Sequence, residues 1–224
     1  MKLERISRRR FIKATGTIVG AGAAAYAGLS FLYPHVPVDI NYPEESYGDK
    51  TMQKRILVAY SSRTGSTAGI AEAIGKTLAK DGSAVDVLQM KNVKDLAVYS
   101  AIVAGSAIQG SKWLPEAMEF LKINRKALNL KPFAAFLGCM TLAMPKADKY
   151  RQHVADFMKP VREIVRPVSE GLFAGSLEIS KIPSLGDRLK FKLSVFMGVW
   201  TEGDHRDWKQ IETWAMDLKP KLQV

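Results

Sequence analysis

"RILVAYSSRTGSTAGIAEAIGKTLAKDG", residues 55–82, sets the organisation of the whole chain. From Ile56 it opens as an unbroken apolar run, the pattern of a strand buried on both faces. Ile70, Ile74 and Leu78 then recur at four-residue spacing, which predicts a helix ending near Gly82. Between strand and helix lies the turn Ser62-Arg63-Thr64-Gly65-Ser66-Thr67. Hydroxyls placed around a glycine where a helix opens suit a phosphate monoester. Backbone N–H groups point at the anion, the helix dipole favours its charge, and Ser/Thr hydroxyls donate further hydrogen bonds. The same residue types also make an ordinary helix cap. No Gly-Lys-Ser/Thr follows, and there is no Gly-x-Gly-x-x-Gly, so this is neither a Walker loop nor a dinucleotide turn.

Outward from this unit the alternation of strand and helix continues. "AVDVLQM" (84–90), "SAIVAGS" (100–106), "PFAAFLG" (132–138) and "GLFAGSL" (171–177) read as four further strands. Helices are expected from about Leu114 to Asn129, with Pro115 in the first turn, and from about Lys146 to Val165, kinked or divided at Pro160. The last helix, 207–218, opens on Asp207-Trp208-Lys209-Gln210, a capping box. Five strands with helices between them make a doubly wound α/β fold, whose ligand sits beyond the carboxyl ends of the strands at the switch point. The loops after strands one, three and four therefore surround one site. The turn's pattern, Ser/Thr-x-Thr-Gly-x-Thr after a first strand, resembles the flavodoxin phosphate loop, which holds the phosphate of FMN. That resemblance implies a flavodoxin-like five-stranded parallel sheet in the order 2-1-3-4-5. It also makes Ser62, Arg63, Thr64, Gly65, Ser66 and Thr67 the expected phosphate ligands.

Two other loops take a flavin reading. Ser106-Ala107-Ile108-Gln109-Gly110-Ser111-Lys112-Trp113 offers an aliphatic and an aromatic side chain for the ring faces, with a glycine for close backbone approach. The alternative for Trp113 is packing against the next helix. Gly138-Cys139-Met140-Thr141 offers backbone groups to the pyrimidine edge. Cys139, with no second cysteine and no paired histidine, reads as a small buried hydrophobe rather than a redox residue. A lone thiol also leaves no intramolecular disulfide, so stability must come from the core. His35, His153 and His205 lack ligand spacing, and no metal site is expected. No side chain stands out as acid, base or nucleophile.

Residues 178–206, between the fifth strand and the last helix, are far longer than an ordinary α/β connection. Leu185, Leu189, Leu193, Phe196 and Trp200 recur there at three- to four-residue spacing beside Arg188, Lys190 and Lys192. A basic helix with an apolar stripe lies in a bilayer interface, lines a pocket for a hydrophobic substrate, or covers its own core. "LFAGSL", this insert and "GDHRDWKQIETWA" together resemble the menaquinone-dependent protoporphyrinogen oxidases, over about residues 54–218. "GSAIQGSKWLPEA" adds to the likeness. The resemblance implies FMN, a membrane surface, and electrons passed from a reduced small-molecule or tetrapyrrole donor to a quinone. The alternative is an exported flavodoxin-like electron carrier without substrate chemistry of its own.

The N-terminus carries a different message. "SRRRFIK" (7–13), followed by an uncharged run from Ala14 to Tyr33, resembles the twin-arginine export signal. It predicts a signal peptide or anchor over residues 1–33, with 14–33 long enough to hold a membrane, and the twin-arginine translocase as a partner. The expected location is periplasmic, or the outer face of the cytoplasmic membrane. Residues 34–53, with Pro34, Pro37 and Pro43, read as an extended tether to a domain at 54–224. Of the formal net charge of +11, residues 1–13 hold +5 and the remainder +6. That moderate excess, without zinc-finger spacing or an RNA-binding aromatic motif, suits an anionic surface or ligand and excludes a nucleic-acid groove.

Overall fold

The computed structural model describes residues 39–49 and 54–223. The export signal expected over 1–33, and the outer parts of the expected tether, lie outside the described residues. The chain forms a sheet in which β2 (Arg55–Ser61), β3 (Ala84–Gln89), β4 (Tyr99–Gln109), β6 (Phe133–Gly138) and β7 (Ser169–Phe173) run parallel. Their order across the sheet is β3-β2-β4-β6-β7. In terms of the five expected strands this is 2-1-3-4-5. Two short antiparallel strands join them: β1 (Glu45–Tyr47) on the outer edge of β3, and β5 (Lys112–Trp113) folded back on β4.

The period of two along each strand divides the apolar residues between two faces. Ile56, Val58 and Tyr60 meet Ile70, Ile74 and Leu78 of α1 (Ser66–Leu78) and Ile211, Ala215 and Leu218 of α7 (Trp208–Leu222). Leu57 and Ala59 share the other face with Leu114, Phe120 and Leu121 around α2 (Pro115–Ile123), and with Val154, Phe157 and Val161. A strand covered on both sides must be apolar at every position, which is why β2 could be read from composition alone.

The helices depart from expectation in detail. The helix expected over Leu114–Asn129 is two, α2 and α3 (Arg125–Asn129), broken at Asn124, whose side-chain amide donates to the Phe120 carbonyl at 2.9 Å. The one expected over Lys146–Val165 is α4 (Arg151–Ala155) and α5 (Lys159–Ile164), joined by a tight turn, with Pro160 in the first turn of the second. The N-cap half of the expected capping box before α7 is present, Asp207 accepting from the Gln210 N–H at 2.9 Å. The fifth strand ends at Phe173; Ser176–Leu177 belong instead to β8, which pairs with β9 (Gly203–Asp204) in a separate hairpin. That hairpin clamps the base of the insert. Within it α6 (Leu185–Phe196) starts at Ser184, whose hydroxyl accepts from the Asp187 N–H.

Residues 39–49 correct the picture of a free tether. Glu45–Tyr47 extend the sheet, and the Ser46 hydroxyl donates to Asp86 at 2.6 Å. The buried Tyr60 hydroxyl donates to the Pro43 carbonyl at 2.9 Å. Among the described residues no helix is long and apolar enough to cross a membrane.

Candidate functional site

Strand register brings the three expected loops together. Ser61 lies opposite Ser106, and Ala107 opposite Gly138, so the turns that follow β2, β4 and β6 leave the sheet side by side.

At the first turn Gly65 stands at the N-cap of α1 with φ +83°, a left-handed conformation that a side chain would strain. The N-cap glycine offers no side chain of its own to the first N–H groups of the helix. The Ser62 hydroxyl is buried and finds no hydrogen-bond partner among the described residues. A buried hydroxyl in that state costs about 1–3 kcal/mol unless something accepts or donates to it. Beside a helix N-terminus, it suits a bound anion. Thr64 is half-buried. Thr67 is buried, and its hydroxyl lies 2.9 Å from where a Cβ on Gly138 would stand. Gly138 is therefore a packing glycine that lets α1 approach β6.

Ser66 is already engaged. Its hydroxyl accepts from the Ser176 N–H at 2.8 Å, and its carbonyl accepts from Arg206 Nη1 at 3.1 Å. Arg206 is in turn gripped by Asp204 at 2.7 and 2.9 Å and stacked 4.3 Å over the Trp208 ring. The Arg206 guanidinium holds the Asp204 carboxyl below its usual range. Arg206 was not singled out as a site residue from the sequence, because it stands 140 positions from Ser66. Arg63 points outward to Glu116 at 3.1 Å, an exposed pair of small energetic weight.

The second loop is a hairpin rather than an open loop. β4 continues to Gln109, the chain reverses through Gly110 (φ 56°) and Ser111 (φ 62°), and Trp113 pairs with Ile108. Ser106 is fully buried; its hydroxyl accepts from the Leu114 N–H at 3.0 Å and donates to the Ala107 carbonyl. Trp113 is 5% exposed within the core, so it packs the fold and does not face a ligand. Ala107, Ile108, Gln109 and Gly110 remain at the rim.

In the third loop Cys139 is buried, and its N–H donates to the Phe173 carbonyl at 2.9 Å. That backbone group is spent within the sheet and is not offered to a ring. Met140 and Thr141 are half-buried, and Met140 packs against Leu177, Ile179 and Ile182 at the root of the insert, with Phe191, Val195 and Trp200. The insert and the phosphate-type turn thus meet through Met140, Ser176 and Arg206.

A family model described as a flavodoxin domain matches residues 57–206. Among solved structures the chain is similar to a flavodoxin from the domain Archaea, at 20% identity over 76% of this chain and 99% of that one, TM-score 0.47. It is also similar to a Streptococcus pneumonia TIGR4 flavodoxin, at 18% identity over 75% and 99%, TM-score 0.48. A flavodiiron protein from Giardia intestinalis matches at 17% identity over 74% of this chain and 38% of that one, TM-score 0.41. Likeness at this level adds nothing to the topology already described. No curated protein matches the chain.

Proposed function

This chain belongs to the flavodoxin domain family and its cofactor is FMN; from that premise we propose that it is an oxidoreductase working at a membrane surface. Electrons would pass from a reduced organic donor, of the tetrapyrrole kind, to a membrane quinone. The turn Ser62–Thr67 would hold the cofactor's phosphate, and the orphaned Ser62 hydroxyl supports placing it there. Ala107–Gly110 and Met140–Thr141 would border the ring. FMN supplies reversible one- and two-electron chemistry, which no side chain can. The protein's part is to hold the phosphate at α1, to shape the rim, and to bring the site to its partner. The Cys139 thiol is buried, away from solvent.

The observation that carries the reading is the outer face of α6. Leu189, Leu193, Phe196 and Met197 are 60, 54, 88 and 61% exposed, at helical spacing, with exposed Lys190 and Lys192 alongside. Contiguous apolar surface of this kind marks a contact site, and flanking lysines complement an anionic lipid surface. At twelve residues α6 is too short to span a bilayer, so it would lie in the interface. The lipid-facing residues differ from expectation at two points. Trp200 is packed inward, and Arg188 is spent on the Ile182 and Ser180 carbonyls. Location on the outer face of the cytoplasmic membrane, reached by the twin-arginine route, completes the proposal.

Replacing Leu193 and Phe196 together by Ser is the test. Sedimentation with anionic vesicles should fall several-fold and quinone reduction should slow, with FMN content and melting temperature unchanged, because neither side chain is buried. Unaltered vesicle binding would overturn the membrane reading. A second reading, a diffusing electron carrier, predicts no turnover of protoporphyrinogen with a quinone acceptor by the FMN-loaded protein.

A further inference from the structure

We propose that residues 39–49 are a working part of the cofactor site, and that Tyr42 is a positioning residue for its phosphate turn. The segment is fastened at successive points along its length. Ser46 donates to Asp86, while Glu44 accepts from the Gln89 N–H at 3.3 Å and the Asn92 side chain at 2.5 Å. Pro43 is held through its carbonyl by Tyr60. Those ties fix the course of the segment, and its described part lies against the turn. The Tyr42 hydroxyl donates to the Arg63 carbonyl at 2.9 Å, and Ile40 Cγ2 lies 3.0 Å from the place a Cβ on Gly65 would occupy. Ile40 and Asn41 also share a cavity of about 120 Å³ with Gly65, Gly69, Glu178, Lys181 and Arg206.

The consequence follows from the peptide plane. In a trans peptide the C=O of one residue and the N–H of the next point in opposite directions. Holding the Arg63 oxygen toward Tyr42 therefore turns the Thr64 N–H away from the strap. The Arg63 side chain is held separately by Glu116 of α2, so this residue is fixed at both its backbone and its guanidinium. A turn that binds an anion through N–H groups needs those groups set before the anion arrives, and Tyr42 sets one of them.

This rests on FMN phosphate binding at Ser62–Thr67, and the experiment keeps the two apart. Tyr42→Phe in the full chain removes one hydroxyl and little else. Fluorescence titration with FMN and with riboflavin, which lacks the phosphate, isolates the phosphate contribution. The FMN dissociation constant should rise about five-fold, the weight of one ordinary hydrogen bond, with riboflavin unaffected. Unchanged FMN affinity or equal loss for both flavins would each overturn the role of Tyr42. A wild-type protein binding riboflavin as tightly as FMN would instead overturn the phosphate site itself, and Tyr42's role with it.

Discussion

Ser62 and Thr64 separate what the fold needs from what the cofactor needs. A buried hydroxyl without a partner is a cost to the protein alone, so Ser62→Ala should leave the flavin-free domain as stable as wild type or raise its stability by about 1 kcal/mol. The same change removes a hydrogen bond to a dianion, worth about 1.5–3 kcal/mol, so FMN affinity should fall ten-fold or more. Thermal scans of the flavin-free protein beside an FMN titration check both halves. A drop in melting temperature with unaltered affinity would place Ser62 in the fold and outside the site. Thr64→Ala is expected to weaken FMN in the same way. Thr67 is less clean, because its side chain also packs on Gly138, and truncation there mixes a packing loss with a binding loss.

Among the elements, β1 tests how the N-terminal strap is held. Asp86 accepts from Arg55, Ser46 and Tyr99, a network at the edge where β1 joins β3. Burial pushes its carboxyl pKa up, but the hydrogen bonds from Arg55, Ser46 and Tyr99 together outweigh this and leave it below the usual value. A depressed folded-state pKa gives stability that is fully present above the unfolded value, about 3.9, and lost as pH falls through the folded one. Stability should therefore decline below about pH 4, and Asp86→Asn should be less stable at pH 7 with a flatter acid limb. Urea titrations at several pH values would show it; parallel profiles for the two proteins would deny the network its role. This element was also the one least legible in the sequence. β2, β3, β4, β6 and β7 announce themselves as apolar runs because both their faces are covered. β1 is Glu-Ser-Tyr, shortly after Pro43 and without apolar periodicity, and its Ser46 is held by a partner 40 residues away. The strand–turn–helix unit around Gly65 was legible because its pattern is local. The ring loops were less so: Ser111 adopts a positive φ that no glycine advertises, and the burial of Trp113 depends on core partners elsewhere in the chain, whereas Cys139 is buried as its sequence context implied. Arg206 was hidden for the same reason, its partner Ser66 being fixed only once the insert closes through β8 and β9.

For the whole molecule, the cofactor and the proposed export would bear on one another through linkage. A ligand that binds only the folded state stabilises it by about 2.7 kcal/mol at a hundred times its dissociation constant. For a domain of this size that corresponds to a rise in melting temperature of roughly 5–11 °C. The strap, the phosphate turn and the root of the insert all meet around α1, so FMN should tighten them together, and proteolysis of residues 39–49 and of the insert should slow in parallel when FMN is added. A chain that reaches its full stability only with a cytoplasmic cofactor is suited to a route that carries folded cargo. The proposed signal Ser7–Lys13 provides the test. Arg8→Lys with Arg9→Lys keeps the charge and discards the paired planar guanidinium groups. The variant should accumulate in the cytoplasm with flavin bound and unchanged melting temperature, while wild type is recovered, equally flavin-loaded, from the membrane's outer side. Cell fractionation with flavin fluorescence measures both. Export of the variant at the wild-type level would sink the twin-arginine reading, and recovery of exported protein without flavin would show that loading does not precede translocation.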